Sequence, residues 1–364
     1  MQKIRIGVIG CGMVAQVMHL PHLTELSDRY EVAALCELSP GLVRRMGEKY
    51  HVARRYTDYE RMLDEVDLDA VLVLTVSHFE PAVAALRRGK HALVEKPMCY
   101  TLREADTLVQ TAADNRATLM VAYMKRYDPA YLYFQARVKE IGHPRLIRVH
   151  DVIGPNDWII RDLLDVQRPS DVPPEVIQEG QRAIAAKLAE AIGDAPEAAH
   201  RAYSLMLGLC SHDVTILRGA FDSPRRVIGT QIAANGRFVT SLLDYGDDLV
   251  GTFAAGAVSL KRFDEELAVW GTDRVVSIRF PSPFVKNMPT LVEVHEQEAV
   301  AGAADPGATP YVERRVTASY EEAFKRELFH FHDCVTTGAK PLTSGEEARE
   351  DTRLMIYIIR AGVR

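Results

Sequence analysis

The chain has 364 residues, 47% hydrophobic and 26% charged, and its 44 Lys and Arg against 50 Asp and Glu leave a formal net charge of −6. This length accommodates two domains with sizeable cores, and the balance is that of an ordinary soluble protein. With no basic stripe, nucleic acid and anionic membrane are excluded as main partners, and no apolar run approaches the roughly 18 residues of a membrane helix. The five cysteines (Cys11, Cys36, Cys99, Cys210, Cys334) are odd in number and dispersed, without a Cys-x-x-Cys pair. They argue against a disulfide framework or a zinc site, and a cytoplasmic location is expected. Met1-Gln2-Lys3-Ile4-Arg5 runs directly into a strand pattern, so no signal peptide is expected.

In chain order, residues 4–9, 32–36, 70–74, 92–94 and 119–122 read as short β-rich runs with amphipathic helical patterns between them. Arg87-Arg88-Gly89-Lys90 closes one helix with basic residues and a glycine, as the helix dipole and a left-handed cap favour. This alternation predicts a parallel sheet covered by helices on both faces. After Tyr123 the pattern changes to a helix over 129–140, a strand over 145–153, and a polar, Pro- and Ala-rich helical insertion over about 157–200. Strand-like segments at 242–245, 249–254, 266–270 and 275–280 suit a meander, and 301–310 reads as a Gly/Ala/Pro loop. Two helices follow, over 320–336 and 344–360, the second opened by the capping box Ser344-x-x-Glu347. The expected fold is an α/β Rossmann domain over 1–123 and an α+β domain with a large, mostly antiparallel open sheet over 124–343. A C-terminal helix within 344–364 is expected to pack back on the first domain.

The first strand runs into Gly10-Cys11-Gly12-Met13-Val14-Ala15, a Gly-x-Gly-x-x-Ala turn. Gly10 suits the tight turn, Gly12 lets the backbone approach a pyrophosphate, and Ala15 permits close packing of helix on strand. The phosphates would sit at the positive end of that helix. Glu37 ends the second apolar run, somewhat beyond the usual spacing of about 20 residues. A carboxylate there accepts both ribose hydroxyls and repels a 2′-phosphate, which favours NAD. Arg44 and Arg45 on the next helix keep NADP as the alternative. Thr75-Val76-Ser77-His78 follows the 70–74 strand, at the sheet edge where ligands bind in such folds. Its residues either line the nicotinamide ribose or cap the next helix.

Glu95-Lys96-Pro97 follows the 92–94 strand on the same edge. Proline fixes the local backbone, and the Lys96 ammonium can polarise a carbonyl or stabilise an alkoxide as hydride leaves; an ordinary charged turn is the plain alternative. Gly208-Leu209-Cys210-Ser211-His212-Asp213 stands at the start of an apolar helix pattern. His212 can exchange the substrate hydroxyl proton, or serve as a structural helix-cap histidine. His19 and His22 read as packing or capping residues.

With these motifs in this order, the chain resembles, over essentially its whole length, the glucose-fructose oxidoreductase, inositol dehydrogenase and rhizopine-catabolism (Gfo/Idh/MocA) family. The resemblance implies Lys96 as catalytic lysine and His212 as acid/base. It places Met13, Val14, Thr75, His78 and Glu95 with Gly10, Gly12, Ala15 and Glu37 around the cofactor. Arg126 and Tyr127, in Tyr123-Met124-Lys125-Arg126-Tyr127, match an Arg-aromatic pair near the substrate in relatives, and an interdomain salt bridge is the alternative. Asn156-Asp157-Trp158 and Arg161 resemble a Trp/Arg segment that reaches the sugar, and the Trp158 ring can stack on a pyranose or fill a core. Two departures stand out: Gly208 occupies the place of an Asp four residues before the histidine, which leaves Asp213 as a candidate helper, and Thr75-Val76-Ser77-His78 replaces a Thr-Pro-Asn-type loop. The implied activity is NAD(P)-dependent hydride transfer at a secondary ring hydroxyl of a sugar, sugar derivative or cyclitol, without a metal, in a homo-oligomer formed through the C-terminal sheet. An NADPH-dependent keto-sugar reductase and a non-catalytic NAD(P)-binding regulator are the alternatives.

Overall fold

The computed structural model describes residues 2–298 and 309–363. Of the loop expected over 301–310, residues 301–308 lie outside them. The chain begins with β1 (Ile4–Ile9), turns at Gly10, and enters a helical run from Met13 that includes a π-helical turn (Ala15–His19) and α1 (Leu20–Glu25). There follow β2 (Tyr30–Cys36), α2 (Pro40–Lys49), β3 (Arg55–Tyr56), α3 (Tyr59–Glu65), β4 (Ala70–Val73), α4 (Phe79–Arg87), β5 (His91–Glu95), α5 (Leu102–Asp114) and β6 (Leu119–Ala122). Helices α2, α3 and α5 start where Ser39, Asp58 and Thr101 cap their first turns through side-chain oxygens.

The six strands form one parallel sheet in the order β3-β2-β1-β4-β5-β6, so β1 and β4 are central neighbours at which the strand order reverses. Apolar side chains fill both faces of the inner strands, as burial by helices on either side demands. Val71, Val73, Val94 and Val121 pack with Leu86 and Leu108 from the helices. Strand β3, only two residues long, is absent from the sequence reading because it carries no periodicity.

The next elements are α6 (Pro129–Val138), β7 (Pro144–Ile153), α7 (Asp157–Leu163), α8 (Pro174–Ile192), α9 (Glu197–Leu205) and α10 (Ser211–Phe221). They lead to β8 (Arg226–Ala233), β9 (Phe238–Gly246), β10 (Leu249–Ala257), β11 (Glu265–Gly271), β12 (Arg274–Phe280), β13 (Leu291–Gln297) and β14 (Tyr311–Thr317). The chain closes with α11 (Ala323–Thr337) and α12 (Gly345–Ala361). The second sheet has the order β14-β13-β12-β11-β7-β10-β9-β8; β7 and β10 pair in parallel, and the other pairs are antiparallel.

Contacts divide the chain into two units: Met1–Met124, Asp157–Asp194 and Phe324–Arg353 in one, and Lys125–Asn156, Ala195–Ala323 and Leu354–Arg364 in the other. The contacts divide the chain near residue 124 and group 157–194 and 324–353 with the N-terminal residues. Most of the 157–200 insertion groups with the parallel sheet. Lys187, at the end of α8, bonds Ser77 and pairs with Glu80 and the buried Glu104, while Arg103 forks onto Glu190. Among the described residues no helix is long and apolar enough to cross a membrane.

Candidate functional site

The carboxyl ends of β1 and β4 form the crevice where a doubly wound sheet takes its ligands. Gly10 has φ +101°, and a Cβ there would lie 2.7 Å from the carbonyl carbon and oxygen of Leu74, so this turn admits glycine alone. A Cβ on Gly12 would meet nothing within 4 Å. That open space, over the first turn of a helix whose Ala15 is buried against the sheet, is what an approaching pyrophosphate needs. At the end of β2, the Glu37 carboxylate accepts the backbone N–H of Cys11 at 2.9 Å and of Ser39 at 3.2 Å, which ties the acid to the glycine turn. Met13, Val14 and Thr75 are half-buried around the same edge. Thr75 donates its hydroxyl to the Ser77 carbonyl, and neither Thr75 nor Ser77 caps α4, whose N-cap position is His78. The residues present fit an NAD-type dinucleotide.

Buried β5 delivers Glu95 and then half-buried Lys96 to this edge, with the Lys96–Pro97 bond cis. Glu95 is 7% exposed; it accepts His19 Nε2–H at 2.8 Å through one oxygen and the Lys96 backbone N–H at 3.0 Å through the other. Burial pushes the Glu95 carboxyl up, but the His19 hydrogen bond and the positive charge of Lys96 outweigh it, and its pKa lies below the ordinary value. His78 donates Nδ1–H to the Pro97 carbonyl at 2.7 Å, and burial lowers its pKa, so a neutral imidazole holds the Lys96-Pro97 turn from below. Behind Glu95, on α11, Glu327 is fully buried; burial first, and the Glu95 charge second, push its carboxyl well above the usual range.

Sequence reasoning read His19 as a packing or capping residue and passed over Glu327. His19 falls four residues after Ala15, on the helix face that packs against the sheet, and that spacing was the available signal. Glu327 had no local signal.

In the second unit, a short 3-10 turn (Met124–Tyr127) precedes α6. Lys125 is buried and ion-paired with Glu265 of β11, with its ammonium 4.8 Å from the Phe280 ring centre. Ligand atoms of buried Asp151, Cys210 and Asp213 lie within 4.8 Å of one another. Burial pushes the Asp213 carboxyl well up, and the neighbouring Asp151 pushes it further, while Lys125 draws it down. Burial disfavours the Lys125 charge, but Glu265, Asp213 and Asp151 more than restore it. Lysine therefore supplies the positive charge of this cluster.

Asp213 and Tyr127, read as substrate contacts, are 1% and 4% exposed, Asp213 on a helix enclosed nearly all round. The helix also does not begin at His212: α9, a π-helical turn (Met206–Cys210) and α10 run on without a break, so His212 is no helix cap. Within 211–218 His212 alone is not buried, and Gly208, in the π-helical turn, is exposed. Arg126 donates to the Thr215 carbonyl at 3.0 Å rather than to an acid. Asp157 is exposed and Trp158 half-buried at the start of α7; both belong with Lys96 in the first unit, whereas Arg126 and His212 belong to the second.

Residues 4–123 match the model of the oxidoreductase family with an NAD-binding Rossmann fold, GFO_IDH_MocA. Residues 4–123 belong to the Gfo/Idh/MocA family. Over 150 residues the chain is 27% identical to inositol 2-dehydrogenase of Salmonella typhimurium, a match that spans 40% of this chain and 44% of that protein. It is 21% identical to the uncharacterized oxidoreductase YrbE of Bacillus subtilis, over 97% of this chain and 92% of that one. Its fold is that of the aldose-aldose oxidoreductase of Caulobacter crescentus, with a TM-score of 0.73 at 17% identity over 99% and 98% of the two chains.

Proposed function

We propose that the protein is an NAD-dependent dehydrogenase acting on a secondary ring hydroxyl of a sugar, sugar derivative or cyclitol. The observation that carries this reading is the glycine turn and the Glu95-Lys96-Pro97 turn on one edge of a single Rossmann sheet, at the ends of β1 and β5. Bound NAD supplies the hydride acceptor. Lys96, held by the Glu95-His19 bond on one side and by His78 under Pro97 on the other, stabilises the oxygen that gains negative charge as its proton is withdrawn. His212, the accessible residue of an otherwise buried helix segment, takes the hydroxyl proton. Arg126, Asp157 and Trp158 remain the proposed substrate contacts, and a cytoplasmic homo-oligomer is part of the same proposal.

The test is Lys96→Met in the full chain. NADH binding is expected to persist while turnover on a panel of sugars and cyclitols falls by about 100-fold or more. Undiminished turnover refutes the role of Lys96. Exposed Gly208 in place of an acid favours a second reading, a cofactor-binding regulator, which predicts NADH binding without turnover of any polyol in wild type.

A further inference from the structure

Beyond Glu37 at the end of β2, the chain offers a second set of groups suited to an anion. The hydroxyl of fully buried Ser39 and the Gly41 N–H lie at the first turn of α2, a ten-residue helix whose positive end lies here. Arg45, one turn along, adds a guanidinium. In dinucleotide folds the region just past the β2 acid is where a ribose 2′-hydroxyl or a 2′-phosphate is read.

In this protein an anion from the chain itself occupies these donors. The Asp171 carboxylate accepts the Ser39 hydroxyl through one oxygen and the Gly41 N–H at 2.7 Å through the other. Those two bonds, with the Arg45 charge, hold its pKa below the usual carboxylate range. Gly41 leaves it room: a Cβ there would come within 2.8 Å of the Asp171 oxygen.

The segment that delivers Asp171 is itself fastened. Gln16, 4% exposed on the helix after the glycine turn, donates to the Gln167 carbonyl at 2.9 Å and accepts the Gln167 N–H at 2.8 Å. Arg45 donates to the Arg168 carbonyl at 3.3 Å. The strap thus grips both the helix after the glycine turn and the turn after β2. Asp171 comes from the 157–194 segment, far from the β2 turn in sequence.

We propose that Asp171 is a specificity-determining residue: it fills the turn that a 2′-phosphate would take and makes the protein select NAD over NADP. This rests on the reading of residues 4–123 as a dinucleotide-binding domain. Bound NAD needs only Glu37 at its ribose, whereas NADP must displace one carboxylate and bring its phosphate beside another.

The experiment titrates the full-length wild type and Asp171→Ala with NADH and with NADPH, followed by calorimetry, with a melting curve to establish that the variant is folded. Wild type is expected to prefer NADH, and Asp171→Ala to move the affinity ratio toward NADPH by at least about tenfold. Gln167→Ala, which alters only the backbone-anchored strap beside Asp171, serves as the comparison and is expected to leave the ratio within about threefold. A wild type that binds NADH, together with an unchanged ratio in a folded Asp171→Ala, overturns this proposal alone. A wild type that prefers NADPH overturns it as well, and a wild type that binds neither dinucleotide overturns the cofactor reading and this proposal together.

Discussion

Replacing Lys125 with Met tests the electrostatic account of the second unit. In the wild type one ammonium, 5% exposed, serves the carboxyl groups of Glu265, Asp213 and Asp151, all within the core. Methionine keeps most of the volume and the contact with Phe280 but leaves Glu265 without its cation. Removing one partner of a buried ion pair costs roughly 3–5 kcal/mol, because the remaining charge has neither water nor a counter-ion. For a unit of this size that corresponds to a fall of roughly 6–20 °C in its unfolding midpoint.

The dependence on pH follows from which groups change charge. Lys125 has a folded pKa above its ordinary value, so its contribution is complete throughout the acid and neutral range and is lost only as pH rises through that folded value. In the variant Asp213 loses the cation that draws its carboxyl down, so its pKa rises further. Protonation of the cluster relieves the cost at low pH, and the penalty grows as pH rises past the ordinary carboxylate range. Scanning calorimetry of wild type, Lys125→Met and Lys125→Met/Glu265→Gln at about pH 5 and pH 8 measures it, the double variant being expected to recover a large part of the loss. A loss below about 1 kcal/mol at pH 8, or one equal at both pH values, refutes the reasoning.

Glu327→Gln should act in the opposite direction. Because the folded pKa of Glu327 is raised, its stability contribution is complete below the ordinary glutamate pKa and is lost as pH rises toward the folded value. The variant should therefore gain on the wild type by up to about 1.4 kcal/mol per pH unit across that window, read from melting curves as a function of pH. Gly208→Asp should fold within about 0.5 kcal/mol of wild type, since a Cβ at this exposed position meets nothing within 4 Å. Placed one turn before His212, the new carboxylate should favour the protonated imidazole and move the acid limb of the pH–rate profile for oxidation to higher pH; a profile unchanged in a folded variant would remove Gly208 as the explanation for altered proton transfer.

The parallel sheet was legible because its inner strands are buried on both faces and so appear as short continuous apolar runs, each followed by a helical period. Strand β3 escaped because two residues cannot express a period. At the cofactor edge, legibility came from backbone demands: Gly10 has no alternative at φ +101° with Leu74 so close, and such a constraint marks the sequence directly. Elsewhere the decisive contacts are distant in the chain. Nothing around Glu327 announces that it will stand behind Glu95, and Asp171 looks like any acid in a polar, proline-rich stretch.

Asp213 shows a different case, since the signal for its burial was present in the sequence. Successive helical residues point about 100° apart, so Asp213 and His212 cannot both face the same group. The apolar residues at 214, 216 and 217 already indicated a helix enclosed on most sides. The question for 211–218 was therefore which single residue emerges, and the structure gives His212. That answer bears on the missing acid as well: with Asp213 committed to Asp151 and Lys125 in the core, no proton partner for His212 comes from its neighbour in sequence. Gly208→Asp places a carboxylate on the exposed side one turn before His212, and so discriminates between a protein that has altered its proton transfer and one that has given it up.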